Sequence, residues 1–398
     1  MGGSAPADGR GVLTGMRVID ATANVLGPLA TQMLGDMGAD VIKIETPAGD
    51  PIRGSGASRS PDMAAFFMNM NRNKRSVVLN LKKPEANAAL LRMIEGADLF
   101  VHNMRRAATR KLGIDYPSLK AINPRLVYAS ASGYGTHSRQ NGRPAFDDVI
   151  QGASGIAGLT KRMHGTPSFV PFAMADKTVG LVFASAILLA LLHRERTGEG
   201  QEVNVPMFET MVSINLIEHL QYGVLDAPEA GFGYKRQLSP MRRPHPTSDG
   251  YICLHAASDA QWQRLLTLLG RSDLIGDPRF TNRRGRVEHA TTLFGAVAEA
   301  LKKRTTAEWE QALDGIDIPN SRANDIEDLW NDPHLAEAGF FQRMAHPTEG
   351  KLVMMKNPME FSATPPAFSR MPPRLGEHTD QVLAEFGYSA DQIAAINS

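Results

Sequence analysis

Cysteine is nearly absent: Cys253 is the single one among 398 residues. No internal disulfide can form, so nothing in the chain depends on an oxidising compartment, and the cytoplasm is the expected location. An excess of charge is also missing, since 43 Lys and Arg face 42 Asp and Glu for a net charge of +1. Without a global basic field, no nucleic-acid or membrane partner is expected, and a polyanionic ligand would have to be met by local basic residues. The most apolar run, residues 179–192, is shorter than the roughly 18 residues of a bilayer span and reads as a buried core helix. The start, MGGSAPADGRG, lacks the apolar stretch of a signal peptide and reads as a loose tail over 1–10.

Several catalytic signatures are missing too. A strand, turn, helix and strand ending in Glu45 imitate a dinucleotide fold, but ATANVLGPLA offers only Gly27 before Pro28. A pyrophosphate loop needs closely spaced glycines so that backbone can approach the phosphates. The eleven histidines form neither a His-Glu-x-x-His pattern nor a pairing with cysteine, so no metal is expected. GSGAS and SASGYG do not have the spacing of a serine-hydrolase elbow.

What is present is an ordinary globular composition, 42% hydrophobic and 21% charged, in a chain long enough for two domains. MRVIDAT, ADVIKIE, RSVVLNL, DLFVHNM and RLVYASASGYG read as strands. GPLATQMLGDMG, PEANAALLRMIEGA and YPSLKAINP alternate with them at helical spacing. This alternation predicts an α/β fold, with a Rossmann-like large domain whose helices cover a mostly parallel sheet. A Pro-, Gly- and Arg-rich stretch near 225–245 reads as a linker. A smaller unit follows, from GYICLHA through DAQWQRLLTLLG and HATTLFGAVAEALKKRTTAEWEQAL, and GEHTDQVLAEFGYSADQIAAI supplies two terminal helices.

Two features could carry chemistry. Arg72, Lys74, Arg75, Lys82 and Lys83 bracket one strand, and NMRRAATRKLG follows the next. Both groups suit either a solvated strand edge or a phosphorylated ligand at the strand ends. The second feature is Asp176 in PFAMADKTVGLVFASAILLALLHRERTGEG. Asp before an apolar helix is a favoured N-cap, and an ionised carboxylate at a helix start is equally a candidate nucleophile. The two roles compete for the same oxygens.

Taken together, LTGMRVIDAT, LGPLATQMLGDMGADVIKIETPAGDPIR, NRNKRSVVLNLKKPE, DLFVHNM, LVYASASGYG, MADKTVG and LGEHTDQVLAEFGYSADQI resemble the class III CoA-transferase family, which includes α-methylacyl-CoA racemase as a divergent branch. The resemblance implies a large domain built from both ends of the chain (11–224 and 331–398), a linker and small α+β domain over 225–330, and an interlocked homodimer. It implies transfer of CoA from an acyl-CoA thioester to a free carboxylic acid, with Asp176 as covalent nucleophile. Coenzyme A enters as part of the substrate, with no permanently bound cofactor. Leu79, Lys82, Asn103, Met104, Lys111 and Arg143 would form the CoA pocket, with Asp147 as an acid beside the site. Val25 and Thr46 depart from the formyl-CoA enzyme, and its glycine-rich loop has no equivalent, which argues against formyl-CoA and oxalate as the substrate pair. The racemase branch uses a histidine as second base, and Phe146 stands in its place. A non-catalytic CoA-ester binder of the same fold is a third alternative.

Overall fold

The computed structural model describes residues 11–397; the tail expected over 1–10 lies outside the described residues. The chain divides into two compact units, one of residues 11–154, 170–213 and 337–397, the other of 155–169 and 214–336. The second unit starts before the linker expected near 225, because the division at 213/214 falls inside the helix Met207–His219, where no Pro or Gly marks it.

The first unit is organised by a six-stranded sheet of β1 (Arg17–Ala21), β2 (Asp40–Glu45), β3 (Lys74–Val78), β4 (Leu99–His102), β5 (Val127–Ser132) and β6 (Glu202–Pro206). Its order is β3-β2-β1-β4-β5-β6, and every pairing is parallel. Val18, Ile19, Val41, Ile42, Phe100, Val101 and Val127 are all buried, as expected of strands covered on both faces. The covering helices follow from sequence. Pro84 opens Pro84–Glu95, and Ala86, Ala89, Leu90, Met93 and Ile94 fall at helical spacing on its buried face.

The C-terminal segment belongs to the same unit. Asn73 Oδ1 accepts from the backbone N–H groups of Ser369 and Arg370, and Val382, Leu383, Ile393 and Ile396 join the core around Leu90. An antiparallel hairpin, Phe341–His346 with Gly350–Met355, was not anticipated.

The basic residues around β3 correct the sequence reading. Arg72 forks onto Asp36 at 2.8 and 2.6 Å, Lys74 pairs with Asp20 at 3.2 Å, and Arg75 bridges Asp40 and Glu385, each at 2.7 Å. All three are buried and neutralised, so they form neither a solvated edge nor a phosphate site.

The helix Met174–Thr197 is longer than the 179–192 run suggested, and by length and composition it could cross a membrane. Its polar flanks are drawn in because both ends are capped. Gly198 closes it in the left-handed region (φ 79°), with its N–H on the Arg194 carbonyl at 2.8 Å. One face, with Val179, Gly180, Phe183 and Ile187, is buried and packs on the helix Leu26–Asp36. The approach is close: a Cβ on Gly180 would lie 2.9 Å from the Leu26 carbonyl oxygen. Leu181, Leu188, Leu189 and Leu192 form an exposed apolar stripe on another face.

The second unit has a small antiparallel sheet, β7 (His245–Pro246), β8 (Tyr251–Leu254) and β9 (Asn320–Arg322), in that order. The helices Asp259–Leu268 and Thr306–Asp314 both start with complete capping boxes, Ser258 with Gln261 and Thr305 with Glu308. With Ala290–Leu301 they enclose Trp262, Leu265, Leu293, Val297 and Trp309.

Candidate active site

The sheet order reverses between β1 and β4, and ligands of open α/β sheets bind where the carboxyl ends of such strands part. A cavity of about 350 Å³ lies there, lined by Ala23 to Leu26 after β1, by His102 to Arg106 at the end of β4, and by Ser132 and Gly133 at the end of β5. Asn103 ties the two diverging strands together. Its Oδ1 accepts from Ala23 N–H at 3.0 Å and its Nδ2 donates to the Ala23 carbonyl at 2.7 Å.

Asp176 lines the same cavity. It is the third residue of its helix, after an Ala173 N-cap that makes no side-chain bond, so it does not cap the helix with its own side chain. The capping oxygen comes from another helix, Asp147–Ala153: Asp147 Oδ1 accepts the Asp176 backbone N–H at 3.0 Å. Asp147 Oδ2 is held by Gln151 Nε2. Among the described residues no side chain donates to the Asp176 carboxylate. Burial, and then the negative charge of Asp147, push its carboxyl up to about 7.

His102 also lines the cavity. Its Nδ1 accepts the Met104 N–H at 3.1 Å, which puts the proton of the neutral ring on Nε2, 2.7 Å from the Tyr128 hydroxyl. Burial lowers its pKa to about 4, so it is neutral at neutral pH with both nitrogens engaged. It is a hydrogen-bonding post, not a free base.

Of the sequence-predicted residues, Asn103, Met104, Arg143 and Asp176 line the cavity, and Asp147 supports it from behind. Leu79, Lys82 and Lys111 do not line it. Leu79 is buried in the core, its N–H on the Glu45 carbonyl and its own carbonyl accepting from Leu81. Lys82 and Lys111 are exposed. Sequence reading named no individual role for His102, Arg105, Arg106, Ser132 or Asn204, which line the cavity as well. Their signal was positional, since each lies at or just beyond the carboxyl end of a strand or on one. Phe146, where a racemase histidine would stand, is in the lining and 64% exposed.

The sequence model of CoA-transferase family III matches residues 13–379. The chain belongs to that family. Among its relatives, a succinate–glutarate CoA-transferase of Agrobacterium fabrum is 33% identical over 380 residues, covering 94% of this chain and 95% of that protein. A formyl-CoA:oxalate CoA-transferase of Escherichia coli O157:H7 is 32% identical over 410 residues, covering 96% and 98%. The crystal structure of Rv3272 from Mycobacterium tuberculosis, orthorhombic form, superposes with a TM-score of 0.80 at 31% identity, covering 93% of this chain and 99% of that one. Class III CoA-transferases act on acyl-CoA thioesters, and the chain is a transferase of this type.

Proposed function

We propose that this transferase moves CoA from an acyl-CoA thioester to a free carboxylic acid through covalent intermediates on Asp176. The observation that carries the reading is an unpartnered carboxylate, raised to about 7, facing a cavity at the sheet's switch point. Desolvation makes such a carboxylate a better nucleophile than one in water.

One Asp176 oxygen attacks the thioester carbonyl carbon. The C–S bond breaks, giving an acyl-aspartyl anhydride and CoA thiolate. The thiolate then attacks the aspartyl carbonyl, releasing the donor acid and leaving an aspartyl-CoA thioester. The acceptor carboxylate attacks that thioester, forms its own anhydride with Asp176, and returns CoA thiolate, which collects the acceptor acyl group and frees Asp176. Each step exchanges one activated carbonyl for another, so the thioester's energy is kept. Water must be kept from both intermediates, because hydrolysis would waste the CoA ester.

Met104 and Arg143 in the cavity lining are the proposed inner contacts for CoA, and the exposed Lys82 and Lys111 are proposed to meet its phosphates further out. Asn103 has its side-chain amide engaged with Ala23 and would act by shaping the floor; Leu79 would act only by holding the end of its strand segment. The apolar stripe on Met174–Thr197 supports assembly as a homodimer, with the interlocked form implied by family resemblance. Racemisation would need a second base across the α-carbon, and Phe146 and the fully engaged His102 do not offer one.

Intact-protein mass spectrometry with a panel of acyl-CoA thioesters, including succinyl-CoA, followed by peptide mapping tests this. The expected result is an acyl- or CoA-sized adduct on the peptide bearing Asp176, absent in Asp176→Ala, with transfer falling about 10³-fold or more in that variant. No adduct, together with exchange of an α-proton into solvent, would replace transfer by the racemase reading. CoA-ester binding with neither outcome would leave the non-catalytic binder.

A further inference from the structure

We propose that the second unit carries its own binding site for a small, doubly charged oxyanion, a dicarboxylate or a phosphate, formed by Arg236, Arg242 and Arg243 against the wall of Trp262.

The site is a cavity of about 340 Å³, set between the segment that leads into β7, the strand β8 and the helices Asp259–Leu268 and Ala290–Leu301. That volume suits a compact metabolite. Its lining contains three arginines and two histidines and no carboxylate. Elsewhere in the unit, Arg264, Arg271, Arg279, Arg286 and Arg322 each pair with an Asp or Glu. None of the three cavity arginines forms such a pair among the described residues.

Their charge is therefore uncompensated where it converges. Burial and then Arg242 lower the pKa of Arg236, which records the mutual repulsion. Arg236 is held in place all the same. Its Nη2 donates to His255 Nδ1 at 2.8 Å, and its guanidinium lies 5.8 Å from the centre of the Phe294 ring. Because Nδ1 of His255 accepts, the neutral ring carries its proton on Nε2, a further donor.

His245 lines the cavity as well; the residue is only 6% exposed, and its Nδ1 is buried with no hydrogen-bond partner among the described residues. Guanidinium groups favour carboxylate and phosphate because the planar fork matches two oxygens at once, and several such forks favour an anion with more than one charge. Trp262 offers an apolar surface for a short carbon chain.

The proposal does not rest on the transfer chemistry, so the two can fail separately. Isothermal titration calorimetry on the full chain with glutarate, inorganic phosphate and propionate tests it, using wild type, an Arg242→Gln/Arg243→Gln double variant and Asp176→Ala. Arg242 and Arg243 are exposed, so the double variant is expected to fold, and circular dichroism checks that it does. The expected result is binding of glutarate or phosphate that weakens about tenfold or more in the double variant and persists in Asp176→Ala. The tighter of the two anions identifies whether the natural ligand presents carboxylates or a phosphate. Absence of binding at millimolar concentrations, equal affinity in the double variant, loss in Asp176→Ala, or propionate binding as tightly as glutarate would overturn the proposal.

Discussion

Asp20, fully buried, and Asp176, half-buried, are carboxylates of the same unit, and their surroundings push them in opposite directions. Asp20, on β1, is fully buried. Desolvation opposes its charge, but Lys74, Lys43 and the hydroxyls of Thr22 and Thr31 outweigh it and hold its pKa below the ordinary value. Asp176 faces the cavity with the like charge of Asp147 nearby and, among the described residues, no ion-pair partner, and its pKa rises to about 7. The difference teaches that burial alone does not mark a reactive acid. What marks it is burial with the partners withheld.

Replacement by Asn should separate the two sites most strongly. Asp20→Asn leaves Lys74 facing a neutral group in the core and should cost ~3–5 kcal/mol, read by urea denaturation. Asp176→Asn should instead stabilise. The folded chain keeps that proton at a pH where the unfolded chain, near 3.8, has lost it, so stability falls as pH rises from 3.8 towards 7. Removing the ionisable group should raise stability by ~1–2 kcal/mol at about pH 8, after a discount for partial exposure, with the gain vanishing near about pH 4. Equal losses in the two variants would remove the distinction.

The next effect is on rate. If the ionised form of Asp176 attacks, kcat/KM should rise with pH along a limb centred near 7 and level off above it. A flat profile from about pH 5 to about pH 8 would separate the nucleophile from this carboxyl.

The smallest effect belongs to Asp147. Asp147→Asn keeps an oxygen able to accept the Asp176 N–H while deleting the like charge, so the limb should move to lower pH by roughly half a unit to one unit. Asp147→Ala also loses the cap and should cost ~1 kcal/mol of stability. An unmoved limb in Asp147→Asn would leave burial as the sole cause of the raised carboxyl.

Much of the sheet was legible because β1 to β5 are short, bounded, largely buried runs that alternate with helical segments. The strand β6 was harder to see: it is only partly buried and ends in Pro206, and neither property announces a strand. The hairpin Phe341–His346 with Gly350–Met355 was missed for a similar reason, since its strands are mostly half-buried or exposed and show no clear alternation of buried positions. Asp176 could be singled out from sequence, but its place inside the helix could not, because the cap comes from Asp147, 29 residues earlier. The fate of Arg72, Lys74 and Arg75 was equally hidden. Their partners Asp36, Asp20 and Asp40 lie 36, 54 and 35 residues away, so a run of cations in sequence did not reveal that each was already matched.

Gly180 sits one helical turn beyond Asp176 and leaves no room for a methyl group against the Leu26 carbonyl oxygen. The helix that carries Asp176 therefore meets the Leu26 main chain directly at this point, with the Leu29 side chain beside the contact. A larger residue at position 180 would lever the helix, and the carboxylate it carries, away from Leu26–Asp36.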